Sequence, residues 1–238
     1  MSPHQNYNTL VRPSWLKSSD PSVRLAPSEP THPPASPTRK LSNGALDRGG
    51  CRRRRACQLR PAFERLQQEG KIDHWGIGGL GQEEAIKQAL AHDKPPSAVQ
   101  CVVNLLNSAG AIGYVSENFD PNSVLSACQN HNIPILAIRA VQAGALTSSM
   151  DRKPHASGFD KRDFEDFELA KPFRNLANDW HVSPASLAHR YALSIQDVAS
   201  VILGVKNRKE LLECLEAESQ GILSKVEIQQ IENCIKEG

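Results

Sequence analysis

Apolar and polar positions follow two regimes along the chain. Over residues 1–60 they show neither the period of an amphipathic helix nor the alternation of a strand. Pro-Ser-Thr clusters such as PSEPTHPPASPTRK cannot bury enough apolar surface to offset the entropy of ordering, so this segment is expected to be disordered. From Pro61 onward, short apolar runs alternate with helical stripes. PAFERLQQEG puts Phe63 and Leu66 on one helical face, with Gly70 as its stop. KIDHWGIG (71–78) reads as a strand, and QEEAIKQALAHD carries Ala85, Ile86, Ala89 and Leu90 on one stripe. SAVQCVVNLL (97–106) is a second strand, and DPNSVLSACQNHN is a helix with Asp120 as N-cap and Pro121 at the first helical position. IPILAIRA (133–140) is a third strand. A long polar stretch follows, roughly 147–162, of the length used for lids and binding loops.

The remainder reads as helix from DFEDFELAKPFRNLANDW, with Pro172 starting a second helix, and as a helix SPASLAHRYALS beginning at Ser183-Pro184. VASVILGV (198–205) is the fourth strand, NRKELLECLEAESQG its helix, and LSKVEIQQIENCIKEG a last helix with Ser224 and Glu227 in capping-box spacing. Four strands, each followed by helix, require crossovers, which predicts a curved (β/α)4 layer: half a barrel.

Composition divides the chain at the same place. Residues 1–60 carry eleven Lys+Arg against three Asp+Glu, net +8, and residues 61–238 seventeen against twenty-three, net −6. The run CRRRRAC (51–57) is basic enough to touch nucleic acid, but no aromatic is interleaved to stack on bases, so it reads as a solvated linker. Six cysteines without C-x-x-C spacing suggest neither a zinc site nor a disulfide framework, and imply reduced thiols in a cytoplasmic protein. No apolar run of about 18 residues is present to span a membrane. The eight prolines in the first sixty residues spoil the amphipathic helix of a transit peptide.

GKIDHWGIGG, AVQCVVNLLN, ILAIRAVQAGAL and VILGVKNRKEL, in this order and spacing, resemble an aldo/keto reductase over residues 61–238. The resemblance implies an α/β TIM barrel that binds NADP(H) at the C-terminal ends of its strands and reduces aldehydes and ketones, with these four strands as its fifth to eighth. It implies roles for eleven residues. Gly78 and Gly79 stand where Ser-Asn holds the nicotinamide amide, and Gln100 matches a glutamine that also binds it. Ile138 replaces a stacking tyrosine, Arg139 a serine, and Gly144 belongs to the turn beside the pyrophosphate. After Gly204, Lys206 and Asn207 match residues that bind the adenosine ribose and its phosphate, where a lysine favours the 2′-phosphate by charge. Glu210 and Cys214 occupy adenine-reading positions, although a thiol cannot make the paired hydrogen bonds of an asparagine. Each residue also has a plainer reading. Gly78, Gly144 and Gly204 can be ordinary turns, Gln100 a partner for neighbouring backbone, and Lys206 a solvated surface lysine.

The family's catalytic Asp, Tyr, Lys and His come from the first half of the barrel, and no strand before the Phe63 helix ends in such a His. Tyr7 lacks the companion Asp, while Tyr114 and Tyr191 fall in a loop and a helix. No catalytic residue and no metal ligand set is assigned. The expectation is a truncated reductase, inactive alone, that associates with itself or with a complementing N-terminal half. The alternative is a non-enzymatic interaction protein using the half-barrel and its basic tail. A misread frame would also yield the basic, proline-rich start.

Overall fold

The computed structural model describes residues 51–236 apart from Tyr114 and Glu117, and side chains from Arg60 onward. The disorder expected of residues 1–50, the role of Tyr7 and Tyr114, and the side chains of CRRRRAC all lie outside the described residues. Helix α1 (Cys51–Gln68) begins ten residues before the Pro61 start that the sequence pattern predicts, so residues 51–60 are helical. Arginine is a good helix former, and Arg60 Nε bonds Glu64 Oε1 at 3.0 Å one turn on, which helps the helix carry Pro61 in its interior.

Four strands form one parallel sheet in chain order: β1 (Gly76–Gly78), β2 (Ala98–Val102), β3 (Ile135–Ile138) and β4 (Val198–Val201). Helix α2 (Glu83–Leu90) links β1 to β2, and α3 (Pro121–Asn130) links β2 to β3. Between β3 and β4 lie α4 (Lys161–Leu169), α5 (Lys171–Asp179) and α6 (Pro184–Ser194), and α7 (Arg208–Ser219) and α8 (Lys225–Lys236) follow. Strand β1 is shorter than KIDHWGIG suggests. A Cβ at Gly76 would stand 2.7 Å from the Ala98 carbonyl oxygen, so close pairing starts only there, while Trp75 stacks on Phe63 of α1 with ring centroids 5.5 Å apart.

The local signals act as the sequence predicts. Asp120 accepts from Asn122 N–H as the α3 cap. Ser224 N–H donates to Glu227 Oε2 at 2.7 Å, and Glu227 N–H to Ser224 Oγ at 3.3 Å, closing the capping box of α8. Pro172 stands in the first turn of α5.

The period of two along the strands sorts the sheet into unlike faces. Val99, Cys101, Ile135 and Ala137 are buried against Ile86 and Leu90 of α2 and Val124 and Cys128 of α3. On the other face Gly78, Gln100 and Ser200 are exposed, and Leu136 and Ile138 half-buried. A second cluster joins α5, α6 and α8 around Phe173, Leu187, Tyr191 and Ile231. Among the described residues, no helix is long and apolar enough to cross a membrane.

Candidate nucleotide cleft

At the end of β3 the backbone turns left-handed at residues other than glycine: Arg139 (φ 58°), Gln142 (φ 44°) and Ala143 (φ 51°), followed by Gly144 (φ 99°). Such residues cost on the order of 1–3 kcal/mol each and gather where a site over-determines its backbone. Gly144 is required by its dihedral rather than by crowding, since the atom nearest to an added Cβ is Met150 Sδ at 3.5 Å.

A buried ionic cluster holds this turn. Asp163 of α4 takes Arg139 Nη2 at 3.0 Å and Ala111 N–H at 3.0 Å on Oδ1, and Arg152 Nη2 at 2.8 Å on Oδ2. Arg152 Nη1 in turn donates to the Ala143 carbonyl at 2.8 Å, tying the 147–162 loop to the turn. Asp166 Oδ2 accepts from Ser108 Oγ at 2.5 Å and from Gln142 Nε2 at 2.6 Å, and its Oδ1 pairs with Arg162 Nε at 3.0 Å. Burial lowers the pKa of the Arg139 guanidinium, against the raising effect of the Asp163 and Asp166 carboxylates. The sequence hid this cluster, because its partners are up to 58 residues apart.

Beside the turn lies a cleft of about 460 Å³, lined by Ala143, Gly144 and residues of the following loop, and also by Gly204, Lys206, Glu210 and Cys214, with Ser183 and His189 of the α6 segment. Its volume lies within the roughly 300–1,000 Å³ of ordinary small-molecule sites. The Lys206 ammonium pairs with the Asp151 carboxylate. Asn207 caps α7, accepting from Glu210 N–H at 3.0 Å, while Glu210 Oε2 accepts from Lys206 N–H at 2.7 Å. This reciprocal cap directs the N-terminus of a twelve-residue helix at the cleft's rim, where the dipole favours anions.

Cys214 Sγ is 3.3 Å from His189 Nε2. Burial, then the Glu213 and Glu210 carboxylates, push the Cys214 thiol up, so it stays protonated beside Nε2. Burial also pushes the His189 imidazole down, against Glu213, so it stays neutral. Its Nδ1 is buried without a partner. A folded-state pKa below the unfolded value means that the unfolded chain takes up the proton first. His189 therefore contributes stability fully above about pH 6.5, lost as pH falls from there toward the folded pKa. Thermal melts across this window should show a smaller acid-side loss in His189→Leu than in the parent; equal slopes would remove His189 as the cause.

The residues assigned from the sequence separate into two groups. Gly144, Gly204, Lys206, Glu210 and Cys214 line the cleft, and Asn207 caps the helix at its rim. Gly78, Gln100 and Ile138 lie on the open face of the sheet, Gly78 in register with Gln100 and Ile138 with Val102. Gly79 N–H donates to the Gln100 carbonyl at 2.8 Å, and an added Cβ there would stand 2.9 Å from that oxygen. Arg139 is committed through Nε to Gln142 and through Nη2 to Asp163. His189, Arg152 and Asp163 were not singled out as site residues. For Asp163 the sequence signal is acidic residues 160, 163 and 166 at three-residue spacing, the last two on one face of α4 and the first at its N-cap position. Tyr191 is buried with its hydroxyl donating to Glu232 at 3.2 Å, and burial pushes its pKa up, so it is no ready proton donor. Among the described residues, no group of three or more His, Cys, Asp or Glu is placed to hold a metal ion.

The aldo/keto reductase family profile matches residues 25–236, so the chain belongs to that family. The match begins well before Pro61, where the sequence pattern first turns regular. The uncharacterized oxidoreductase YqkF of Bacillus subtilis is 27% identical over 183 residues, 74% of this chain and 54% of that protein. The holo form of aldo-keto reductase AKR11C1 from Bacillus halodurans is similar in structure, with TM-score 0.59 and 20% identity over 78% of this chain and 58% of that one. The glycerol dehydrogenase AKR11B4 from Gluconobacter oxydans gives TM-score 0.53 and 20% identity over 74% and 52%. The chain therefore spans a little over half the length of these relatives, and it shares the parallel-strand α/β fold of aldo/keto reductase barrels.

Proposed function

We propose that the chain is the nucleotide-holding portion of an aldo/keto reductase, with NADP(H) seated in the cleft between the strained turn at Arg139–Gly144 and the N-terminus of α7. The observation that carries this reading is the placement of left-handed backbone opposite a lysine and a capped helix N-terminus. One side offers close backbone approach and the other offers charge to a phosphate. The residues fit such a group: Lys206 would hold the 2′-phosphate, the backbone at Gly144 would pass close to the pyrophosphate, and the unpartnered His189 Nδ1 is a buried polar atom open to a partner on the adenine side. Glu210 and Cys214 would line the adenine side. Asp151 and Glu210 add negative charge, so the phosphate must share Lys206 with Asp151.

Gly78, Gly79, Gln100 and Ile138 would receive the nicotinamide at the ends of strands five to seven of a barrel, of which these four strands are the second half. When bound, the cofactor supplies a hydride to a carbonyl carbon, and the resulting alkoxide needs a proton donor. The described residues offer none in place, so the chain alone is proposed to bind the cofactor without reducing aldehydes or ketones, pending a completing half or a second copy. A cytoplasmic location accords with free thiols at Cys101, Cys128 and Cys214. Fluorescence titration of the full chain with NADPH should show saturable quenching in the submillimolar range. A flat titration would discard the cradle, and turnover of a simple aldehyde that follows the purified chain would discard its incompleteness.

A further inference from the structure

The segment immediately after β4 exposes large apolar side chains: Ile202, Leu203 and Val205 in the loop, and Leu211, Leu212 and Leu215 on α7. These are six of the ten exposed large hydrophobics among the described residues, so the apolar surface is concentrated rather than scattered. Helix α7 buries Cys214 and Ala217 and leaves its leucines, at one-turn spacing, uncovered. A helix apolar on two faces is built for two neighbours. Beside it, β4 is an edge of the sheet among the described residues, and an edge strand presents unpaired backbone groups as a template.

A strand that extends this sheet from β4 into a closed parallel barrel runs parallel to it and carries its crossover helices on the same side. Strand β1 of another copy meets both conditions, because it is the opposite edge of the same parallel sheet with α2 and α3 packed on one face. The uncovered face suits an interior. It presents Gly78, Ala98, Gln100, Leu136, Ile138 and Ser200, small or uncharged groups whose burial leaves no unpaired charge. Eight strands are also the number whose interior side chains just fill.

We propose that two copies of this chain join β4 of each to β1 of the other, closing an eight-stranded ring and covering the α7 leucine stripe. The two seams are equivalent about a two-fold axis, so the ring closes after two copies, four strands from each making up the eight of a closed barrel. This inference rests on the barrel reading of the sheet and not on nucleotide binding, so its failure leaves the NADPH titration untouched, and failure of the titration leaves it standing.

Light scattering of the full chain after size exclusion tests it. The expected mass is twice the 26.1 kDa of one chain and does not rise further with concentration. The double variant Leu212→Asp and Leu215→Asp, at positions more than half exposed, should fall to the single-chain mass. Phe159→Asp, 66% exposed and outside the stripe, should keep the doubled mass. Should the double variant lose its helical circular dichroism, Leu212→Lys replaces it with the same expectation. A single-chain mass for the parent, a mass climbing with concentration, a doubled mass that survives the charged leucine variants, or a change only when a different chain is added would each overturn the pairing.

Discussion

Asp163→Ala is expected to lower the stability of the chain by about 3 kcal/mol, the low end of the range for removing one partner of a buried ion pair. The carboxylate is 7% exposed and meets two guanidiniums and the Ala111 amide, all of which lose their acceptor. The low end applies because the Arg139 and Arg152 side chains are 21% and 34% exposed, so water recovers part of their solvation. In a domain of this size the melting temperature should fall by roughly 6–12 °C. Arg152→Ala should lose less, and the double variant less than the sum, since both remove the same interaction. A melting point within about a degree of the parent would mean that water reaches the cluster freely enough to replace the carboxylate.

Lys206→Glu is expected to weaken NADPH binding by about two orders of magnitude while changing NADH binding severalfold at most, because only the former carries a 2′-phosphate dianion. Removing the charge alone, as Lys206→Ala, should cost about tenfold, limited by the 66% exposure of the side chain and by its pairing with Asp151. The difference between the two cofactors should shrink as salt is raised. Equal losses for NADPH and NADH would place Lys206 away from the 2′-phosphate and return it to the surface role that an exposed lysine has by default.

Strands and helices were legible where burial follows a period. Val99, Ile135 and Ala137 alternate with exposed or half-buried neighbours, and the caps at Asp120 and Ser224 act within a few residues of their own helices. What stayed hidden is held together across the chain. Nothing near Asp163 announces Ala111, fifty-two residues away, and nothing near Cys214 announces His189, twenty-five residues away. Arg139 illustrates the consequence. A residue at the end of a strand in this family invites a ligand role, but its charge is taken by a carboxylate from α4. The early start of α1 was obscured by proline and a run of like charges, both of which lower the expectation of helix without forbidding it.

One nucleotide that touches both walls of the cleft should protect both at once. Amide hydrogen exchange of the full chain, with and without saturating NADPH, reads this directly. Slowed exchange is expected at residues 141–152 and 204–210 together, with α8 unchanged. No slowing at either wall, or slowing confined to residues outside the cleft, would contradict it.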